Sequence, residues 1–170
     1  MTFADAVPPL TDDRWILHEG GFAASHGTRL FYRHWAPTAP RTDGAPRALV
    51  LLHRGHEHSG RVAELVRDLG FAHDHAFAWD ARGHGHSPGE RGEAPDFAAL
   101  VEDLDAFVRH IRDVHGIAMQ DMVLVANSVG AVIAATWMHD HAPAVRGVVM
   151  AAAAFAIDRK STRLNSSHSS

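Results

Sequence analysis

The apolar residues of this chain alternate between two periods, and the switches between them mark out its elements. From Arg14 to Trp35, Leu30, Tyr32 and His34 alternate with Phe31, Arg33 and Trp35, while Gly20-Gly21 and His26-Gly27 punctuate the stretch. This pattern predicts paired strands. A polar, proline-bearing loop follows over Pro37 to Pro46, and then a continuous apolar run, Ala48 to Leu52, stops at His53. Such a run predicts a strand covered on both faces. Val62, Leu65, Val66 and Leu69 fall at i, i+3, i+4, i+7, with Ser59 available as a cap at the start and Gly70 at the end. That spacing predicts a helix. His75 to Asp80 is a second apolar strand, followed by a glycine-rich loop over Ala81 to Gly92. Phe97, Leu100, Val101, Leu104, Phe107, Val108 and Ile111 form a long helical stripe that Gly116 closes. Met122 to Ala126 is a third buried strand. Val129, Val132, Ile133 and Trp137 give a third helical face that ends before Pro143, and Arg146 to Ala152 is a further strand. Strands that alternate with helices in this way predict an α/β sheet, mostly parallel, with helices on both faces. Ligands in such sheets sit beyond the carboxyl ends of the strands. That rule singles out His53, Asp80 and Ser128.

Length and composition narrow the class. The 170 residues correspond to one domain, with 46% hydrophobic and 21% charged residues, as in an ordinary globular chain. A net charge of −4 and the lack of a basic stripe argue against nucleic acid as a partner. With no cysteine, neither a disulfide scaffold nor a thiolate metal site is possible. The N-terminus lacks the basic start and apolar core of a secretion signal. The longest apolar stretch, Val148 to Ile157, is too short for a transmembrane segment. A cytoplasmic protein is the expectation. Ser161 to Ser170 breaks the pattern, being polar, serine-rich and without period. The expected organisation is therefore residues 1–157 as part of one α/β domain and residues 158–170 as a non-native or disordered tail, since Lys160 to His168 resembles an adapter read-through scar.

The strongest chemical signal is Val123 to Ala131: an apolar strand, then Ala126-Asn127-Ser128-Val129-Gly130, then a helix. It matches a nucleophile elbow with Ala126 in place of the first glycine. A turn this tight needs small residues two before and two after the nucleophile, and Ala126 and Gly130 meet that need. The plainer alternative is a serine that merely caps a helix. Two more segments stand at strand ends, His53-Arg54-Gly55-His56-Glu57-His58-Ser59-Gly60-Arg61 and Asp80-Ala81-Arg82-Gly83-His84-Gly85-His86-Ser87-Pro88-Gly89.

Together these three segments resemble the α/β-hydrolase superfamily, in particular its serine-hydrolase branch of monoacylglycerol lipases and lysophospholipases. In that branch the motifs read HGxGEHSGR, DxRGHGxSxG and GHSMGG. Arg54 stands where the family has Gly, and Asn127 where it has His; both departures resemble a bacterial subset sometimes fused to a methyltransferase domain, of which this chain carries nothing. The resemblance covers about residues 14–157. It implies the α/β-hydrolase fold, no cofactor, and hydrolysis of a small-molecule or lipid ester through an acyl-enzyme on Ser128. By the same resemblance the backbone N–H groups of Gly55 and Val129 form the oxyanion hole, the second also following from the elbow itself. His53, Glu57 and His58 are candidates for the mouth of the site, with a solvated loop pair as the alternative for the last two. Asp80 and Arg82 are expected to fix the glycine-rich turn through an internal ion pair.

A metal site is the rival reading. His53, His56 and His58 have H-x-x-H-x-H spacing, and His84 and His86 lie on a loop at the same sheet edge. Against it, neither an HxHxDH nor an HExxH motif is present, so no metal is expected, and the remaining histidines of the fifteen read as surface or turn residues. A non-catalytic α/β binding module is a third reading. On an α/β hydrolase the acid and the base follow the nucleophile. His139 and His141 sit about three helical turns, roughly 16 Å, beyond Ser128, and His168 falls in the tail. The expectation is a segment that holds the nucleophile and oxyanion half of a hydrolase, lacks its base, and turns over poorly alone.

Overall fold

Short links make antiparallel neighbours and helical crossovers make parallel ones, and both rules shape this chain. The computed structural model describes residues 12–90 and 96–151. β1 (Trp15–Ala23) and β2 (Arg29–Pro37) form an antiparallel hairpin in which Trp15 pairs with Pro37 and Ala23 with Arg29. Their link is a tight turn over Ser25–Gly27, with His26 at φ 56° and Gly27 at φ 69°. β3 (Ala48–Leu52), β4 (His75–Trp79), β5 (Met122–Asn127) and β6 (Gly147–Ala151) are all parallel, joined through α1 (Ala63–Leu69), α2 (Phe97–His115) and α3 (Val129–His141). The strand order is β1-β2-β4-β3-β5-β6. β4 lies on one side of β3 and β5 on the other, so the order reverses at β3. A crevice opens beyond the carboxyl ends of strands at such a reversal.

The helices divide between the faces. Val62, Ala63 and Val66 pack with Trp15, Trp35, Leu51, Ala76 and Ala78 on one side. On the other, Leu104, Phe107, Val108 and Ile111 of α2 and Ile133, Ala134 and Trp137 of α3 cover Val50, Leu52, Phe77 and Leu124. The stripe expected on α2 is buried from Val101 to Ile111, but Phe97 at its start is exposed. Asp96 caps this helix, its carboxylate accepting from the Ala99 N–H at 2.6 Å, and Gly116 at φ 70° closes it. In α3 the hydroxyl of Thr136 donates to the Val132 carbonyl at 2.9 Å, which lets a polar residue sit within an apolar helix. β6 forms one edge of the described sheet, and its Val149 and Met150 are exposed.

The start of the first helix departs from expectation. Ser59 does not cap it. A 3-10 turn over Ser59–Val62 precedes α1, capped by the His58 ring, whose Nδ1 accepts from the Gly60 N–H at 3.1 Å. Ser59 is fully buried and engaged elsewhere: its N–H donates to Asp80 and its hydroxyl accepts from the Arg33 guanidinium. Among the described residues no helix is long and apolar enough to cross a membrane.

Candidate active site

Ser128 joins β5 to α3 at φ 56° and ψ −122°. A non-glycine residue held there stores about 1–3 kcal/mol of backbone strain, which persists only where the surroundings impose it. The surroundings here are visible. Ala126 is buried in β5 opposite Leu52 of β3. A methyl group added at Gly130 would lie 3.0 Å from Leu52 Cβ and 3.1 Å from the carbonyl oxygens of Leu52 and His53. The helix can therefore start this close to β3 only because residue 130 has no side chain. Gly130→Val is expected to destabilise the fold by about 1–3 kcal/mol through overpacking. A urea-denaturation midpoint equal to that of the wild type would show that the start of α3 shifts freely.

The loop after β3 comes up beside this elbow. A methyl group added at Gly55 would sit 3.7 Å from Val129 Cγ1, so Gly55 and Val129 are neighbours on the same side of the sheet. His53 ties the loop down. Its Nδ1–H donates to the Arg54 carbonyl at 2.6 Å, and its Nε2 accepts from the Ala81 N–H at 3.0 Å. These partners assign the tautomer, and burial pushes the ring's pKa down, keeping it neutral. Both nitrogens are spent on the protein, so His53 has no lone pair for a metal. Among the described residues no three His, Asp or Glu side chains are grouped to hold a metal ion. A cleft of about 310 Å³ lies at this corner, lined by His53, Gly55, His56, His84, Leu100 and Val129 among others. His56 adopts φ 61° at the turn of the loop, and His84 Nδ1 donates to the Arg82 carbonyl at 3.0 Å.

Glu57 and His58 stand on the same loop but outside the cleft lining. Glu57 binds the Arg54 guanidinium, which holds its carboxyl below the usual range, and its N–H donates to the Arg54 carbonyl at 3.3 Å. His58 is spent on its cap, and burial lowers its pKa.

With this geometry in view, comparison with known proteins decides the family. Residues 44–168 match the family described as serine aminopeptidase, S33. The chain belongs to that family. The uncharacterized protein YnbC of Escherichia coli (strain K12) is 49% identical over 142 residues, which cover 84% of this chain and 24% of that protein. Monoglyceride lipase of Homo sapiens is 39% identical over 116 residues, covering 64% of this chain and 34% of the lipase. The crystal structure of an α/β hydrolase from Novosphingobium aromaticivorans superposes with a TM-score of 0.58 at 18% identity, over 79% of this chain and 43% of that one. The fold is that of an α/β hydrolase. This S33-family chain spans about a quarter to a third of the length of these curated relatives. The family match runs beyond residue 157, into the stretch expected to be a tail, which lies outside the described residues.

The ion pair expected between Asp80 and Arg82 does not form. Asp80, fully buried, accepts from the N–H groups of Ser59 at 2.6 Å and His86 at 2.8 Å, and its carbonyl accepts from the Ser87 hydroxyl. It thus staples the glycine-rich loop to the loop after β3. Arg82 points the other way, to Asp103 of α2, with Nε and Nη2 donating to the two carboxylate oxygens at 3.1 and 3.0 Å. It also donates to the Thr28 hydroxyl and the Ser25 carbonyl. Both residues hold the turn, but through different neighbours. Asp103 carries one signal in the sequence: it lies three after Leu100 and four before Phe107, a carboxylate on an apolar stripe.

Neither histidine at the end of α3 approaches Ser128. His139 pairs with Asp140 at 3.0 Å, and His141 reaches Glu102 and Asp105 of α2 at 3.3 and 3.5 Å. His168 and Asp158 lie outside the described residues. Asn127 is the last residue of β5 and pairs with Ala151 of β6.

Proposed function

We propose that this chain supplies the nucleophile and oxyanion half of a serine hydrolase that cleaves carboxylic esters. One observation carries the reading: Ser128 is held at φ 56° at the start of α3, with Gly55 beside Val129. Ser128 Oγ attacks the ester carbonyl, and the N–H groups of Gly55 and Val129 receive the charge that develops on its oxygen. The alcohol leaves with a proton, and water then hydrolyses the acyl-enzyme, releasing the acid and restoring the hydroxyl. Both steps need a base: it passes the Ser128 proton to the leaving alcohol, then takes a proton from the attacking water and returns one to Ser128. On this fold the base follows the nucleophile from a later strand end, so turnover belongs to a protein that joins this segment to the later half of the domain. The similarity to monoglyceride lipases favours a monoacylglycerol as substrate.

A fluorophosphonate probe tests the reading. In a protein carrying both halves, the probe should attach to Ser128, as located by peptide mass spectrometry. The 170-residue chain alone should label far more slowly, because among the described residues no side chain is hydrogen-bonded to the Ser128 hydroxyl to activate it. Attachment at another serine would overturn Ser128 as the nucleophile, and no attachment in an ester-hydrolysing preparation would overturn the reading and favour the metal alternative.

A further inference from the structure

Four histidines that neither the fold nor the cleft accounts for meet on the α2 side of the sheet, near its far end. His34 of β2 is buried and stacks on Phe77 of β4 with ring centroids 4.1 Å apart. Its Nε2 shares a hydrogen bond of 2.9 Å with His75 Nδ1 at the start of β4. His115, the last residue of α2, lies edge-on to His34 at 4.7 Å. His115 and His110 both bond the Tyr32 hydroxyl through Nε2, at 2.8 and 3.0 Å. In the sequence alone these residues read as surface or turn positions; in the fold they knit three elements together.

We propose that His34, His75, His110 and His115 form a proton-operated latch that holds the C-terminal end of α2 on the sheet at neutral pH and releases it on acidification. The hydrogen bonds are the first reason. The His34–His75 bond joins two ring nitrogens, so it needs a lone pair on one of the rings, and because Tyr32 has one proton to give, at most one of its two imidazole partners accepts from it while the other donates. A doubly protonated imidazole has none. Charge is the second reason. From β1, His18 faces His34 at 5.7 Å, and Arg29 of β2 adds a further positive charge beside His110. Two carboxylates oppose this, Asp74 before β4 acting on His75 and Asp113 on α2 acting on His110, but they are paired with Arg41 and Arg112. Protonation therefore gathers like charges about 5 Å apart in a half-buried setting.

The titration runs in the matching direction. Burial first, and then His115, His75 and His18, pull His34 down to about 3. Burial is also the main cause of the lowered values of His75, His110 and His115. In the unfolded chain each histidine titrates near about 6.5, so between that pH and the folded values the latched state binds fewer protons. Its stability is complete above about pH 6.5 and falls as the pH drops below it, up to about tenfold in the equilibrium per pH unit for each histidine.

Hydrogen exchange tests the latch in the whole chain. Protection factors, corrected for intrinsic exchange, are measured between pH 7.5 and 5.5. Amides of residues 108–116 should lose at least tenfold in protection while those of β3 and β5 keep theirs. The double variant His34→Phe/His110→Gln, which preserves the stack on Phe77 and a donor to Tyr32, should abolish most of that loss. His110→Gln alone, at a half-exposed position, should reduce it and serves if the double variant does not fold. Loss of protection at the same pH throughout the sheet, or an unchanged loss in the variants, would overturn the latch.

Discussion

Ser128→Ala is expected to lower ester hydrolysis by about four orders of magnitude or more in a protein that joins this segment to the later half of the domain. In the proposed mechanism Ser128 Oγ forms the bond of the acyl-enzyme, so no neighbour can replace it. What remains should be the modest acceleration that oxyanion donors and binding supply without a nucleophile, about 10³ to 10⁴ over water. Stability should not account for the loss. The Ser128 side chain makes no capping hydrogen bond at the start of α3, and alanine inherits the same strained backbone. Ser128→Gly should be equally inactive yet more stable, because glycine takes φ 56° without penalty. Thermal unfolding beside a nitrophenyl ester assay separates these effects. An Ser128→Ala enzyme that keeps its rate would remove Ser128 from the mechanism.

Asp103→Ala is expected to cost about 3–5 kcal/mol of folding stability, the penalty for stranding one member of a buried ion pair. Asp103 is fully buried and accepts from the Arg82 guanidinium, the Ser25 N–H and the Ser25 hydroxyl. Its removal leaves Arg82 with only Thr28 and Ser25 as partners. A domain of this size has about 5–15 kcal/mol in all, so the variant should sit near the edge of folding at 37 °C. Replacing both partners by apolar residues, as in Arg82→Met/Asp103→Leu, should recover a large part of the loss, because no charge is then left unpaired. Urea denaturation of the three proteins decides it. A single variant within 1 kcal/mol of the wild type would mean that water reaches the Arg82 site.

Much of what near neighbours in the chain carry is legible in the sequence alone. β3 begins and ends where its apolar run does, α2 stops at the glycine expected to stop it, and the elbow at Ser128 follows from small residues on either side of a strand–helix turn. Periodicity and turn chemistry are local, so residue order alone expresses them. Contacts between distant segments were not legible in this way. The sheet order, the preference of Arg82 for Asp103 over Asp80, and the release of Ser59 from capping all depend on which loops meet across strands. The histidine cluster shows the reason most plainly. His34, His75 and His115 are far apart in sequence, and each alone looks like a polar residue at a strand edge or helix end. Only the pairing of β2 with β4, and the packing of α2 over both, brings their rings within about 5 Å and removes the water that would otherwise let them charge.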